Sequence, residues 1–290
     1  MKTYLFGFVF LLLLSSIVFK IDDYEKEIME WRKGRAEELK NENGWLNLAG
    51  LFWLKEGENS FGTDISNDII FPNGKAKPFM GKFVLANGVV TFSSLLKKQI
   101  LINNIGSQEA QLFPSEENKV SSFGSLRWFV IKRGQKYGVR LRDLESEFLQ
   151  EFKGISYFDI DPSWRVKAKY EKTVGQTIGI LDVTGQTNQL ESPGKVTFSR
   201  KGKLYSMHAI AEGEQLFFVF GDKTNKISTY GAGRFLYAPM PKESGEIFLD
   251  FNKAQNPPCA FTPFATCPLP PEQNMLDLEV TAGEKNYHLD

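Results

Sequence analysis

The chain has 290 residues, 35 of them Lys or Arg and 35 Asp or Glu, so its formal net charge at pH 7 is +0. That balance argues against a nucleic-acid partner or a polybasic membrane patch, and a total of two histidines argues against a histidine-rich metal site. Twenty-five phenylalanines and 25 glycines beside five tryptophans fit many short strands joined by tight turns.

After Met1 and Lys2 the chain is apolar from Tyr4 to Phe19, broken by Gly7, Ser15 and Ser16 and closed by Lys20. This is the pattern of a secretory signal, so residues 1–20 are expected to be a signal peptide or signal-anchor. Ser16 and Val18 form a poor small-residue pair for a signal peptidase. The run also approaches the ~17 residues that can cross a bilayer, which leaves an uncleaved anchor open. The body is then exported, periplasmic or elsewhere in the cell envelope, and meets the membrane through this segment alone.

Residues 21–44 read as one amphipathic helix. Tyr24, Ile28, Trp31 and Leu39 recur at helical spacing among charges, and Asn43 with Gly44 ends the pattern. Beyond Trp45 the period becomes two. Gly81 to Leu85 and Val89 to Phe92 flank Asn87 and Gly88, the pair that supplies positive φ to a type I′ hairpin turn. A second hairpin runs from Leu126 to Ile131, turns near Arg133 and Gly134, and returns from Lys136 to Asp143. Strand-like runs follow at Trp164 to Tyr170, Thr177 to Val183, Lys195 to Phe198, Leu204 to Ile210 and Leu216 to Phe220. With no long helical pattern between them, the expectation is a mainly β protein of antiparallel sandwiches or barrels. Residues 45–160 would form an N-terminal β-sandwich and residues 161–290 a C-terminal β domain, divided at Asp161 and Pro162.

Familiar catalytic signatures are missing: no G-x-S-x-G, no P-loop, no H-E-x-x-H. His208 sits in a strand-like run and His288 near the chain end, far apart in sequence. No metal and no cofactor is expected. Arg140 and Arg142, two apart in a strand, share a face and can fork a carboxylate or phosphate, or pair with Asp143 and Glu145. In Thr229-Tyr230-Gly231-Ala232-Gly233-Arg234 the glycines lack the third member of a dinucleotide fingerprint. They suit a bend that buries Arg234, whose charge then needs an anion, and Asp250 is the expected one. Alternation along Leu249-Asp250-Phe251-Asn252 places Asp250 and Asn252 on one strand face. The proline-dense stretch from Asn256 to Pro271 forbids helix and central strand. A fixed loop results, which suits either the rigid presentation of polar groups or the covering of a sheet edge. Cys259 and Cys267 within it form a disulfide or stay as two buried thiols.

The stretches T-Y-G-A-G-R-F-L, L-D-F-N and N-P-P-C-A-F-T-P-F-A-T-C-P-L-P-P resemble the signature of a bacterial family catalogued as domain of unknown function 1684. Further stretches resemble the same family: Gly44 to Leu54, Gly57 to Pro72, Arg140 to Asp143, Asp161 to Ala168 and Asn274 to Glu284. The resemblance thus covers most of the chain after the signal. It implies no activity, and Ala232 departs from the glycine expected there. Gly57 to Asp64 and Asn67 to Ile70 also resemble the start of a forkhead-associated sandwich. Thr63 replaces that family's arginine, and the serine and histidine motif is missing. This implies a similar fold without phosphothreonine binding.

The expected ligand-binding residues are therefore Arg140, Arg142, Tyr230, Arg234, Asp250, Asn252 and Asn256. The leading expectation is an exported binding or structural module of the envelope, contacting a small molecule or an envelope component. The alternative is a hydrolase of an envelope ester or glycan with Asp250 as acid or base and Arg234 stabilising charge. A redox role for Cys259 and Cys267 is disfavoured by the seven residues between them.

Overall fold

A computed structural model describes residues 23–287. The apolar run 1–20 and His288 lie outside the described residues, and among those described no helix is long and apolar enough to cross a membrane. The chain divides into two compact units. One holds Leu39–Lys153 with Phe261–Ala265, and the other holds the chain up to Glu38, Gly154–Ala260 and the chain from Thr266 onward.

The N-terminal unit contains eleven named strands. They are β1 (Leu48–Trp53), β2 (Gly57–Gly62), β3 (Ile69–Ile70), β4 (Gly81–Ala86), β5 (Val89–Ser94) and β6 (Leu101–Ile102), then β7 (Ile105–Gly106), β8 (Glu109–Phe113), β9 (Ser121–Phe123), β10 (Leu126–Arg133) and β11 (Lys136–Asp143). They form two sheets, ordered β1-β11-β10-β9-β6-β7 and β3-β2-β4-β5-β8. The β4–β5 turn sits on Asn87 (φ 51°) and Gly88 (φ 80°), the positive pair that a type I′ turn demands. Alternation turns Phe83 and Leu85 of β4 and Val90 and Phe92 of β5 into the core. There Phe61 packs 4.6 Å from Phe83 and 6.0 Å from Trp128, ring centre to ring centre. Each such aromatic, fully removed from water, contributes on the order of 2–3 kcal/mol.

In the C-terminal unit the strands are β12 (Arg165–Lys172), β13 (Thr177–Leu181), β14 (Thr187–Glu191), β15 (Gly194–Arg200) and β16 (Lys203–His208), then β17 (Ile210–Glu212), β18 (Gln215–Phe220), β19 (Arg234–Pro239) and β20 (Gly245–Asp250). Three antiparallel sheets result: β16-β15-β12-β20, β17-β18-β19 and the hairpin β13-β14. Strict alternation in β12 buries Val166, Ala168 and Tyr170 and exposes Arg165, Lys167 and Lys169. Phe198, Phe218, Phe220 and Phe251 complete that core.

The helix at 23–40 buries Tyr24, Ile28 and Leu39 as its periodicity predicts, with Trp31 half-buried. Arg35 joins the buried stripe although the sequence reading passed over it. One expectation is corrected at the end of β20. The strand does not run on to Asn252, because the Asp250 carboxylate accepts the Asn252 N–H at 3.1 Å and caps a 3-10 turn over Phe251–Lys253.

Candidate functional site

Asp250 is the residue on which this unit converges a polar group and a cleft. It ends β20 directly opposite Arg165 of β12. The first turn of the helix brings Tyr24, whose hydroxyl donates to Asp250 Oδ1 at 2.8 Å and accepts from Asn252 Nδ2 at 2.9 Å. Asn252 is fully buried and occupied. Its Nδ2 also reaches the Asp161 carbonyl at 2.8 Å, and its Oδ1 accepts the Asp161 N–H at 3.1 Å. Burial, followed by the bond to Asp250, pushes the Tyr24 hydroxyl well above the ordinary tyrosine range. Asp250 Oδ1 is thereby fixed by three donors, while Oδ2 has no hydrogen-bond partner among the described residues.

Around that carboxylate lies an open cleft of about 480 Å³. Its lining includes the charged side chains of Asp250, Arg165, Glu27 and Lys253 and the apolar side chains of Met240, Ile247 and Phe248. Glu27 pairs with Lys253 at 2.5 Å, and that bond holds its carboxyl below the usual range. The Arg165 guanidinium lies 5.1 Å from the centre of the Phe248 ring and 5.7 Å from that of Tyr24, so the rings hold it in place without neutralising it. Apolar side chains, a fixed carboxylate and both signs of charge in one cleft suit a small amphipathic molecule.

Arg234 does not meet Asp250, and the expected pairing is corrected here. Its guanidinium is fully buried and donates to Asp222 Oδ2 at 2.9 Å. The carbonyls of Val280, Ala282 and Glu284 accept at 2.8, 2.6 and 3.3 Å. The reason is register. Arg234 lies opposite Phe220 at the end of β18, and the chain leaves that strand through Asp222. Arg234 is thus spent on protein groups, so it cannot stabilise charge on a substrate. Gly233 holds φ at 89°, where a Cβ would lie 2.5 Å from both the Phe220 carbonyl oxygen and Pro270 Cγ. Ala232 does not have positive φ, which explains why alanine is tolerated there.

A second buried pair lies beside it. Arg35 Nε meets Glu284 Oε1 at 3.1 Å and its Nη2 reaches the Asn256 carbonyl at 3.1 Å. Burial pushes the Glu284 carboxyl up, opposed by Arg35 and by the Asn256 N–H at 2.7 Å. Asn256 is fully buried and its amide serves the Lys285 carbonyl at 2.7 Å. Tyr230 donates to the Cys259 carbonyl at 3.2 Å, and Cys259 is bonded to Cys267. Glu27, Arg165 and Lys253 are charged cleft residues that were not expected from the sequence, and neither was the bond from Tyr24 to Asp250. The helix periodicity named Tyr24 as core without indicating its hydroxyl's partner.

In the N-terminal unit, Arg140 and Arg142 share one face of β11 as their spacing predicts, and both are buried. Arg142 lines a separate cleft of about 390 Å³. Neither is paired with Asp143 or Glu145. Lys75 takes that place, at 3.6 Å from Asp143 and 2.6 Å from Glu145. Among the described residues no group of three or more His, Cys, Asp or Glu side chains is placed to hold a metal ion.

Residues 150–285 match the model of a family described as a protein of unknown function, DUF1684. Among solved structures, an uncharacterised protein of Haloarcula marismortui is 34% identical over 47% of this chain and 78% of its own, with a TM-score of 0.40. An FHA domain from work on phosphothreonine-dependent interactions is 17% identical over 32% of this chain and 92% of its own, with a TM-score of 0.23. The FhaA FHA domain gives the same identity and TM-score over 97% of its length. No curated protein matches the chain.

Proposed function

The chain belongs, through residues 150–285, to the DUF1684 family, and from that premise we propose that it is an exported binding module of the cell envelope whose C-terminal unit takes a small amphipathic molecule, anchored on Asp250. The observation that carries this reading is the division of labour on one carboxylate. Oδ1 is fixed by Tyr24 and Asn252, while Oδ2 has no hydrogen-bond partner among the described residues, and Asp250 lines an open cleft that also holds apolar side chains. A carboxylate held this way loses little conformational freedom on binding, which favours a cationic or hydrogen-bond-donating group on the ligand. Export is supported by the apolar run from Tyr4 to Phe19 and by the Cys259–Cys267 bond, which suits an oxidising compartment.

The test is a ligand-dependent melting screen of the chain from Asp22 onward, run in parallel on Asp250→Asn. We expect cationic amphiphiles to raise the melting temperature of the natural protein and not of the variant. Hits that stabilise both forms equally would refute the assignment of the site.

A hydrolase reading stands second, favoured by one observation: Asp250 and Glu27 line the same cleft. Here Asp250 serves as acid or base and Arg165, rather than Arg234, supplies the positive charge. Turnover of ester or glycan substrates that disappears in Asp250→Asn would establish it. Binding without turnover leaves the module reading in place.

A further inference from the structure

The second cleft is independent of the Asp250 site and has a different chemistry. In the β10–β11 hairpin Arg127 lies opposite Arg142 and Phe129 opposite Arg140, so all four side chains emerge from one face of the sheet. The next strand, β9, sets Ser122 opposite Arg127, and β6 sets Leu101 opposite Ser122. The β6–β7 turn is made by Asn103 (φ 48°) and Asn104 (φ 66°), a left-handed pair that asparagine tolerates and bulkier residues resist. Strand pairing therefore sets arginine, serine and asparagine side by side along one wall. The cleft they border has a volume of about 390 Å³.

The charges in it are unbalanced. Its lining includes Arg127 and Arg142 against a single acid, Glu42, which is largely exposed and touches Arg127 Nε at 3.4 Å. Arg142 is 8% exposed, gives Nη1 to the Gly44 carbonyl, and keeps a buried Nε with no hydrogen-bond partner among the described residues. Its guanidinium sits 5.9 Å from the centre of the Phe129 ring. Burial alone depresses Arg142, while burial and then the charges of Arg133 and Arg142 bring Arg140 down to about 10. A cation held out of water without a carboxylate is costly, and an arriving anion offsets that cost. Asn103 Oδ1 is occupied by the Val120 N–H at 3.0 Å, which leaves its amide nitrogen as a donor.

We infer that this cleft binds a phosphate group, gripped by Arg142 and Arg127 and completed by the Asn103 amide and the Ser122 hydroxyl. Arg127 already gives Nη1 to the Gly124 and Leu126 carbonyls at 2.8 and 2.9 Å and Nε to Glu42. Its Nη2 therefore joins the remaining donors of Arg142, the Asn103 amide and the Ser122 hydroxyl, a set that matches the three terminal oxygens of inorganic phosphate or a phosphomonoester. The group can belong to free inorganic phosphate, a soluble phosphomonoester or a lipid that ends in a phosphomonoester, such as phosphatidic acid. The apolar ring of Phe129 at the cleft lies where a linked carbon chain would rest.

Binding is measured by titration calorimetry on the full-length chain in a non-ionic detergent at constant low ionic strength. The probes are inorganic phosphate, glycerol phosphate and a short-chain phosphatidic acid, with acetate as the carboxylate reference. We expect phosphate to bind at least about tenfold more tightly than acetate, and Arg142→Gln to weaken it by a further tenfold or more. Because Arg142 is buried, the exposed Asn104→Asp serves as the second variant; it sets a carboxylate at the rim and should weaken phosphate as well. Lys132→Gln, on the paired strand β10 and the face opposite to that of Arg127, removes the same charge as Arg142→Gln and should leave binding unchanged. Equal binding of phosphate and acetate overturns the inference, as does phosphate binding that survives both Arg142→Gln and Asn104→Asp. Ranking the three phosphate probes then identifies the source.

Discussion

Two arginines, Arg234 in the C-terminal unit and Arg142 in the N-terminal unit, are removed from water by β-strands, and their environments are opposite. Arg234 has a carboxylate at 2.9 Å and three backbone carbonyls around its guanidinium, so its charge is answered by the protein itself. Arg142 has one carbonyl, an aromatic face and, among the described residues, no acid of its own. The difference teaches how to separate a structural cation from a binding cation. Burial is common to both, so what distinguishes them is whether the fold has already supplied the counter-charge. By that measure Arg234 is a closed knot and Arg142 is open. Asp250 is intermediate in kind, with one oxygen occupied and the other without a hydrogen-bond partner among the described residues.

The largest expected effect breaks the closed side. Asp222→Asn leaves a fully buried guanidinium without its anion and should cost about 3–5 kcal/mol in urea unfolding. A cost below about 1 kcal/mol would show that the three carbonyls suffice and that Arg234 is no more committed than Arg142. The next effect asks whether the signature loop owes its shape to polar contacts or to a covalent bond. Replacing both Cys259 and Cys267 with serine reopens a short loop and should cost roughly 2–3 kcal/mol in the chain-entropy model. The loss should match that of the natural protein under reducing conditions. An unchanged unfolding midpoint would mean that the prolines and the Tyr230 contact already hold the loop.

Much of this was legible in the sequence, and the misses share a cause. Asn87-Gly88 specified its hairpin because φ is a local property, and the Lys136 to Asp143 strand announced itself by alternation. The helix was found by its stripe, yet Arg35 was not, because a charged residue at a core position looks like a break in the pattern until its partner Glu284, 249 residues away, is in place. The pairing of Arg234 with Asp222 was missed for a related reason. Asp222 just follows a strand and Asp250 ends one, and only the register of β18 with β19 decides between them. Arg165 carried no signal of its own. It is one of several alternating basic residues on an exposed strand face, and it becomes distinct only when β20 places Asp250 opposite. Local conformation and strand period were readable. Long-range polar partners, on which the site depends, were not.

A smaller effect tests the half-closed carboxylate. Tyr24→Phe removes the donor to Asp250 Oδ1 and the acceptor of one Asn252 bond, which should cost about 1–2 kcal/mol. The folded pKa of Tyr24 is raised, so its contribution is complete below pH 10 and is lost as the pH climbs above that unfolded value. Stability of the natural protein should accordingly fall more steeply above pH 10 than that of Tyr24→Phe, as followed by denaturant midpoints. Parallel curves would mean that Tyr24 does not hold Asp250. The Asp250 ligand screen would then be expected to give the same hits in the Tyr24→Phe background.

The smallest effect comes from a charge cluster that is neither closed nor open but fully solvated. Asp277 takes a hydrogen bond from Lys203 first and Lys223 second, and together they lower its carboxyl to about 2. A folded pKa below the unfolded value gives a contribution that is complete above about pH 4 and fades as the pH falls toward 2. The acid loss in the denaturant midpoint should therefore be shallower when Lys203 and Lys223 are both changed to Gln, and 0.5 M salt should abolish that difference, since water and ions screen an exposed cluster. Salt should leave the cost of Asp222→Asn almost untouched. If both respond to salt alike, Asp222 and Arg234 are solvated in the folded protein, and the contrast between closed and open arginines loses its closed member.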